Sequence, residues 1–285
     1  MRLAWATDIH LDFVTDPNDI FHSSKNIDTF CSLILKDKPE ALLLSGDISL
    51  SSFLVDHLVA LEERLRFPIY FVLGNHDFWR GDFDGVRRQM KNLSYIADHL
   101  KYLSTTPYIN LEPNVSLVGH DGWYDGFYGD PKRTNFIMND WNYVSDFAKA
   151  GVMSHNSPNI EKVLLISRQQ ASSAAHHIAN GIKAAISKSS AKKIIIATHV
   201  PPFTQPIDAG LNASEALNFY PWYASRIMGD MLLSAAKSNP HVKFEIFCGH
   251  IHSDYEGLIA PNLLLRSGKS EYSEPRCQGV YNISL

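Results

Sequence analysis

The stretch Ile69-Tyr-Phe-Val-Leu-Gly-Asn-His-Asp-Phe78 constrains this chain more than any other. Five consecutive apolar residues, Ile69 to Leu73, suit a buried central strand and are too few for an independent helix. Gly74 then permits a sharp turn, and an amide, an imidazole and a carboxylate follow it without a spacer. Taken alone, Gly74-Asn-His-Asp77 reads as an ordinary turn after a strand. Four further apolar runs end in the same kind of polar cluster, and that repetition turns a local pattern into an argument about the fold.

Arg2 to Thr7 reads as a strand ended by Asp8-Ile-His10, and Ala41 to Leu44 as a second ended by Ser45-Gly-Asp47. Between them Asp28 to Asp37 reads as a helix, with Ile27, Phe30 and Ile34 on one face. Leu54, Leu58, Leu61 and Leu65 recur at helical spacing, and Val86, Met90, Leu93, Ala97 and Leu100 do so after the third strand. Three strand–helix alternations predict a layered α/β architecture, which collects its chemistry at the carboxyl ends of its strands.

The rest of the chain is less regular. Tyr108 to Leu111 and Val115 to Val118 read as short strands leading into the loop Gly119-His-Asp-Gly-Trp-Tyr-Asp-Gly126. Residues 127 to 160 show no period and read as loop with at most one short helix. Ala175, Ile178, Ile182 and Ala185 mark a helix within residues 168 to 188. Lys193 to Thr198 is a strand ended by His199, residues 203 to 221 a loop, and Trp222 to Ser238 a helix. Phe244 to Cys248 is a strand ended by Gly249-His-Ile-His252, and Leu263 to Arg266 and Gly279 to Ser284 are further strands. No repeat or low-complexity linker divides the 285 residues, so a single domain over residues 1 to 285 is expected.

Charge and cysteine usage exclude several classes. A formal net charge of -4 without any block of like charges argues against a nucleic-acid groove or an anionic membrane surface. Cys31, Cys248 and Cys277 are far apart and odd in number, which argues against a disulfide framework and fits a reducing compartment. The residues after Met1 leave no room for a signal-peptide apolar region, and no window is apolar enough to span a bilayer. A cytoplasmic location is therefore expected.

Asp8 with His10, Asp47, Asn75 with His76, His199, and His250 with His252 stand at five strand ends. Alternate residues of a strand share a side, so Asp8 pairs with His10 and His250 with His252. Imidazole and carboxylate together suit divalent transition metals, whereas an all-oxygen set would suit magnesium or calcium. Two histidines placed after Gly249 and a buried strand are costly to desolvate without a partner. A metal site follows from the five clusters together.

In order, Asp8-Ile-His10, Gly46-Asp47, Gly74-Asn-His-Asp77, His199 and Gly249-His-Ile-His252 resemble the motif blocks of the calcineurin-like metallophosphoesterases. The resemblance spans residues 8 to 252. It implies an α/β fold of two packed mixed β-sheets flanked by helices, a four-layer α/β/β/α sandwich. It also implies two divalent transition-metal ions, whether manganese, iron or zinc. Asp8, His10 and His252 resemble the ligands of one ion, Asn75, His199 and His250 those of the other, and Asp47 the bridging carboxylate.

The implied activity is hydrolysis of a phosphomonoester or phosphodiester by attack of a metal-bridging hydroxide, with Asp47 and His76 in catalytic roles. Two divalent ions offset by Asp8 and Asp47 leave a net charge of about +2, suited to a phosphate ester. Two readings of His76 stand: it contacts the phosphate and protonates the leaving oxygen, or it holds Asn75 in place.

Departures from the pattern narrow the branch. Gly46-Asp-Ile-Ser-Leu-Ser-Ser52 lacks the Asp-Arg-Gly continuation of the protein Ser/Thr phosphatases, and with it the carboxylate that orients the histidine corresponding to His76. No tyrosine lies between Asp47 and Tyr70, unlike the purple acid phosphatases, and His76 stands where the lipid-A-precursor hydrolases carry arginine. What remains is the pattern of small-molecule phosphoesterases and cyclic-nucleotide phosphodiesterases, so the expected partner is a small phosphoester or nucleotide.

A nuclease reading lacks a basic groove, and a scaffold reading conflicts with every ligand position being filled. His120, Trp123 and Tyr124 in the loop 119–126 are candidate substrate-binding residues, against the alternative of a packed loop with Trp123 plugging the core. Lys132 and Arg133 read as a solvated pair rather than an anion contact.

Overall fold

The computed structural model describes residues 1–13, 23–155 and 157–285. The first half supplies strands β1 (Arg2–Ala6), β2 (Ala41–Ser45), β3 (Ile69–Val72), β4 (Leu100–Tyr102), β5 (Ile109–Glu112) and β6 (Val115–Gly119). A two-stranded pair, β7 (Met153–Ser154) and β8 (Ser157–Pro158), is followed by β9 (Lys193–Ala197), β10 (Lys243–Cys248), β11 (Tyr255–Ala260), β12 (Leu263–Ser267) and β13 (Gly279–Asn282). The helices are α1 (Ser23–Lys36), α2 (Leu54–Leu65), α3 (Phe83–Ile96), α4 (Asp140–Tyr143), α5 (Ser145–Lys149), α6 (Ile160–Ser189), α7 (Gln205–Gly210), α8 (Ala213–Tyr223) and α9 (Arg226–Ser238).

Two mixed sheets result. One has the order β13-β1-β2-β3-β4, with β1 to β4 parallel and β13 antiparallel at the edge. The other has the order β11-β12-β10-β9-β6-β5, parallel from β12 to β6 and closed by antiparallel strands at both edges.

Strand periodicity builds the layers. Leu3, Trp5, Leu43, Tyr70 and Val72 face Leu117, Ile195, Ala197 and Phe247 in a core between the sheets. The alternate residues Ala4, Ala6, Leu42, Leu44 and Phe71 pack outward with Phe30, Ile34, Leu58 and Leu61 of α1 and α2. On the far side Ile194, Ile196, Phe244 and Ile246 pack with Ile178 and Ile182 of α6 and with Met228 and Leu232 of α9. Strands buried on both faces are why these segments read as unbroken apolar runs. The order of layers is therefore helix, sheet, sheet, helix, which matches the expected sandwich.

Several expected elements need correction. The stripe ending at Leu100 breaks at Ala97, whose backbone is extended, and Leu100 opens β4 instead. The stretch 203–221 holds α7 and most of α8, and α8 opens on a capping box between Asn212 and Glu215. The helix expected over Trp222 to Ser238 is two helices, because Ala224 is extended and the Ser225 hydroxyl caps α9 by accepting from the Met228 N–H. Residues 127–160 contain α4, α5 and the β7–β8 pair, and α6 starts at Ile160, where Asn159 caps it. Strand β11 has no counterpart in the sequence reading. Among the described residues no helix is long and apolar enough to cross a membrane.

Candidate metal centre

All five polar clusters sit just beyond the carboxyl ends of parallel strands: Asp8 and His10 after β1, Asp47 after β2, Asn75 after β3, His199 after β9, and His250 and His252 after β10. Asp8, Asp47 and Asn75 therefore come from one sheet, and His199, His250 and His252 from the other. The backbone past β1 stays paired with that past β2, as the Asp8 N–H donates to Gly46 and the His10 N–H to Asp47, each at 3.0 Å. This pairing places the two carboxylates side by side.

The side chains converge differently from the expected strand alternation. Asp8, His10, Asp47, His250 and His252 all adopt left-handed backbone conformations, with φ between 39° and 73°. Asp and His are among the few side chains that tolerate this region, and its use by five neighbouring residues concentrates backbone strain at the site. Gly74 and Gly249 serve the centre by what they lack. A Cβ on Gly74 would meet Asp47 Oδ1 at 2.1 Å, and one on Gly249 would meet Asp8 Oδ2 at 2.0 Å.

Asp47 faces both halves of the cluster. Its Oδ1 lies 3.4 Å from His199 Nε2, while its Oδ2 lies 3.8 Å from His10 Nε2 and 3.9 Å from His76 Nε2. On one side, potential ligand atoms of Asp8, His10, Asp47 and His252 all lie within 4.8 Å of one another. There His252 Nε2 is 3.2 Å from Asp8 Oδ1 and 3.3 Å from His10 Nε2. On the other side, Asn75 Oδ1 sits 3.1 Å from His199 Nε2 and 2.9 Å from His250 Nδ1.

Surrounding groups hold these atoms in donor orientation. The His199 Nδ1–H donates to the Ser45 carbonyl and the His250 Nε2–H to the Trp222 carbonyl, so the neutral His250 ring presents Nδ1 as a lone pair and His199 Nε2 is the nitrogen left to ligate once a cation displaces its proton. The Asn75 Nδ2 donates to Asp140 Oδ1 at 2.8 Å, which turns its oxygen inward. Asp8 accepts from the Thr7 hydroxyl and the His250 N–H, and Asp47 from the His76 N–H. Asp77 clamps the turns after β2 and β3, accepting from the N–H groups of Ile48, Ser49 and Gly74.

Electrostatics test whether a cation fits. Burial drives His10 and His250 down to about 3, leaving both rings neutral. Burial also opposes charge on His199, yet the carboxylates of Asp47 and Asp8 outweigh it and push this imidazolium up to about 10. Burial would raise Asp8, but His199 and His252 hold it at about 2, and His199 and His76 hold Asp47 well below the usual carboxylate range against the same burial.

Two buried carboxylates thus trap a proton where a metal would supply positive charge. Meanwhile the Asn75 oxygen and the unprotonated Nδ1 of His250 confront each other at 2.9 Å with no hydrogen between them. Two lone pairs at that distance repel unless both point at a cation. The residues fit a pair of divalent ions, one among Asp8, His10, His252 and Asp47, the other among Asn75, His199, His250 and Asp47.

His76 lines the cleft above this cluster, its ring stacked on Trp79 at 3.6 Å. Trp79, Phe136, Met138, Tyr223 and Tyr272 form other parts of the wall, and no lysine or arginine among the described residues lines it. The loop 119–126 is placed elsewhere. Trp123 is buried against Phe78 and Phe83, Tyr124 is buried with its hydroxyl between Asp140 and the Trp141 indole, and His120 is buried beside His177. The structure thus places His120, Trp123 and Tyr124, the expected substrate-binding residues, in the core and outside the lining of the cleft. Lys132 and Arg133 pair at the exposed surface with Glu161 and Asp130, as read.

Sequence reasoning missed Asp140, Trp79 and Tyr272. Asp140 lies in a stretch without periodicity and Tyr272 in the tail between strands, where no local signal marks either one. Trp79 directly follows the tetrad and its Phe78, and position alone could have drawn attention to it.

A two-sheet sandwich with converging imidazoles and carboxylates at its strand ends defines a metal-dependent hydrolase architecture. The sequence matches the family model described as calcineurin-like phosphoesterase over residues 1–254. The chain belongs to that family. Among solved structures it resembles a phosphopantetheinyl hydrolase from Mycobacterium tuberculosis, with a TM-score of 0.59 and 16% identity over 96% of this chain and 94% of that one. It also resembles a dimetal phosphatase from Danio rerio, with a TM-score of 0.56 and 14% identity over 94% of this chain and 86% of that one. At such identities the likeness speaks for the fold. No curated protein sequence matches the chain.

Proposed function

We propose that this protein is a dinuclear metal-dependent phosphoesterase acting on a small phosphate ester, with Asp47 shared between the two ions. The observation that carries this reading is the division of Asp47, one oxygen toward His199 and the other toward His10 and His76. When bound, the two ions supply Lewis-acid charge for the phosphoryl oxygens and lower the pKa of water.

The chain's own residues do the rest. Asp8, His10 and His252 hold one position, Asn75, His199 and His250 the other, and backbone carbonyls keep the His199 and His250 rings in the ligating tautomer. His76 stands at the cleft with Nε2 directed to the Asp47 side, where a proton on it reaches the leaving oxygen of a bound ester. The absence of lysine and arginine from the described lining supports a substrate with one phosphate and argues against a nucleic-acid backbone. Aromatic walls at Trp79, Phe136 and Tyr272 suit an apolar or planar leaving portion and leave cyclic nucleotides as a second substrate class.

Asp47→Asn and His199→Ala should stay folded yet lose metal, with chromogenic monoester and diester hydrolysis falling about 100-fold or more. Undiminished hydrolysis by either variant after chelation and manganese return overturns the assignment. His76→Gln should keep its metal and lose about 10² to 10⁴ in kcat for esters of poor leaving groups, with less damage for good ones. Equal losses across a leaving-group series would remove the general-acid role. The same panel, run with mono-, di- and cyclic esters in manganese, zinc and iron, separates the two substrate classes.

A further inference from the structure

Asp140 is fully buried and belongs to none of the motif blocks, yet one of its oxygens serves two parts of the site. Oδ1 accepts from Asn75 Nδ2 at 2.8 Å and from the Trp79 indole N–H at 2.7 Å. Oδ2 is reached by the Tyr124 hydroxyl at 3.2 Å, which itself accepts from the Trp141 indole at 3.1 Å. The Asn75 amide is nearly symmetric in shape but not in chemistry: one end donates and the other accepts. With Asp140 behind it, only the NH2 group can face the carboxylate, so the oxygen must face His199 and His250. Turned over, the amide would direct hydrogens at the cation position and an oxygen at a carboxylate.

The second partner extends the effect. The Trp79 indole is pinned by Asp140 and lies flat on the His76 ring, with centroids 3.6 Å apart. No carboxylate among the described residues is within hydrogen-bond distance of the His76 ring, Asp47 Oδ2 lying 3.9 Å from Nε2, and its buried Nδ1 has no hydrogen-bond partner among them. Its orientation therefore rests on this stacked surface, on the edge-to-face contact with the His10 ring at 4.7 Å and on the turn that carries it.

We infer that Asp140 is a positioning residue that sets the Asn75 amide as a metal ligand and, through Trp79, fixes the plane of His76. The inference rests on the two-metal reading and assigns Asp140 to the position made by Asn75, His199 and His250, leaving the one made by Asp8, His10 and His252 untouched.

Cobalt titration of the chelated full-length protein, followed by visible absorption and calorimetry, tests this. Wild type should take up two equivalents. Asp140→Ala should bind the first as wild type does and the second with about 10- to 100-fold lower affinity. Asp140→Asn keeps an acceptor oxygen for Asn75 and Trp79, and should restore the second step to within a few-fold. If Asp140→Ala does not fold, Asp140→Leu, close in volume and apolar, carries the same expectation. Two wild-type binding steps in Asp140→Ala, equal weakening of both steps, or failure of Asp140→Asn to restore the second would each overturn the role. A wild-type protein that binds no cobalt would instead overturn the two-metal reading itself, and this inference with it.

Discussion

At the scale of single residues, buried histidines divide by what they face. His199 faces two carboxylates and holds a proton, whereas His57 faces the Ser49 hydroxyl at 2.8 Å and has little to offset its burial. Burial lowers His57 from 6.5 to about 4. The sign follows from linkage. Between these values the unfolded chain takes up a proton that the folded protein refuses, so the stability contribution is complete above about 6.5 and is lost as pH falls toward 4. At about 1.4 kcal/mol per unit, the upper bound is ~3.5 kcal/mol. Urea unfolding at pH 7 and pH 5 should show wild type losing more stability on acidification than His57→Gln. Equal losses in the two proteins would exclude His57 as a source of acid sensitivity.

At the scale of elements, the decisive features are the turns beyond the strands. Gly249 holds no left-handed conformation of its own. Its hydrogen makes room for the Asp8 carboxylate and the Thr7 hydroxyl, which a Cβ would meet at 2.0 and 2.1 Å. Gly249→Ala must therefore push apart the ends of β1 and β10, which come from different sheets. Displacements of about 1 Å at such a site cost on the order of 100-fold in rate. Gly249→Ala should show that loss with reduced metal content and an unchanged far-ultraviolet spectrum, checked by metal analysis beside turnover. Full metal content with full activity would mean that the turn relaxes without moving Asp8.

Across the whole molecule, the centre joins two sheets whose facing surfaces meet chiefly through apolar packing. Each proposed ion would draw ligands from both: Asp8, His10 and Asp47 with His252, and Asn75 and Asp47 with His199 and His250. Removing metal leaves buried carboxylates balanced mainly by the His199 proton, so the chelated protein should melt lower. Binding at 100 times Kd contributes about 2.7 kcal/mol. For a chain of this size that is a rise in Tm of roughly 5 to 10 °C. Calorimetric scans with chelator and then with excess manganese measure it, and an unchanged Tm would argue that no ion bridges the sheets.

What the sequence by itself determined is the part governed by local pattern and order. Apolar runs such as Ile69 to Leu73 specify buried parallel strands, and the blocks from Asp8 to His252 mark the strand ends that carry the candidate ligands. Period alone does not show where a stripe stops, so Leu100 and Trp222 fell into the wrong elements. The caps that open α8 and α9 are single residues, Asn212 and Ser225, easily passed over in a loop-like composition. Only the tertiary structure decided which polar residues meet. The loop with Trp123 and Tyr124 turned inward to the core because Trp123 packs on Phe78 and Phe83 and Tyr124 on Trp222. Asp140, 65 residues beyond Asn75, reached the amide instead. A hydrogen bond between residues so far apart leaves no period in the sequence, since it depends on the packing of whole elements and not on the spacing within one.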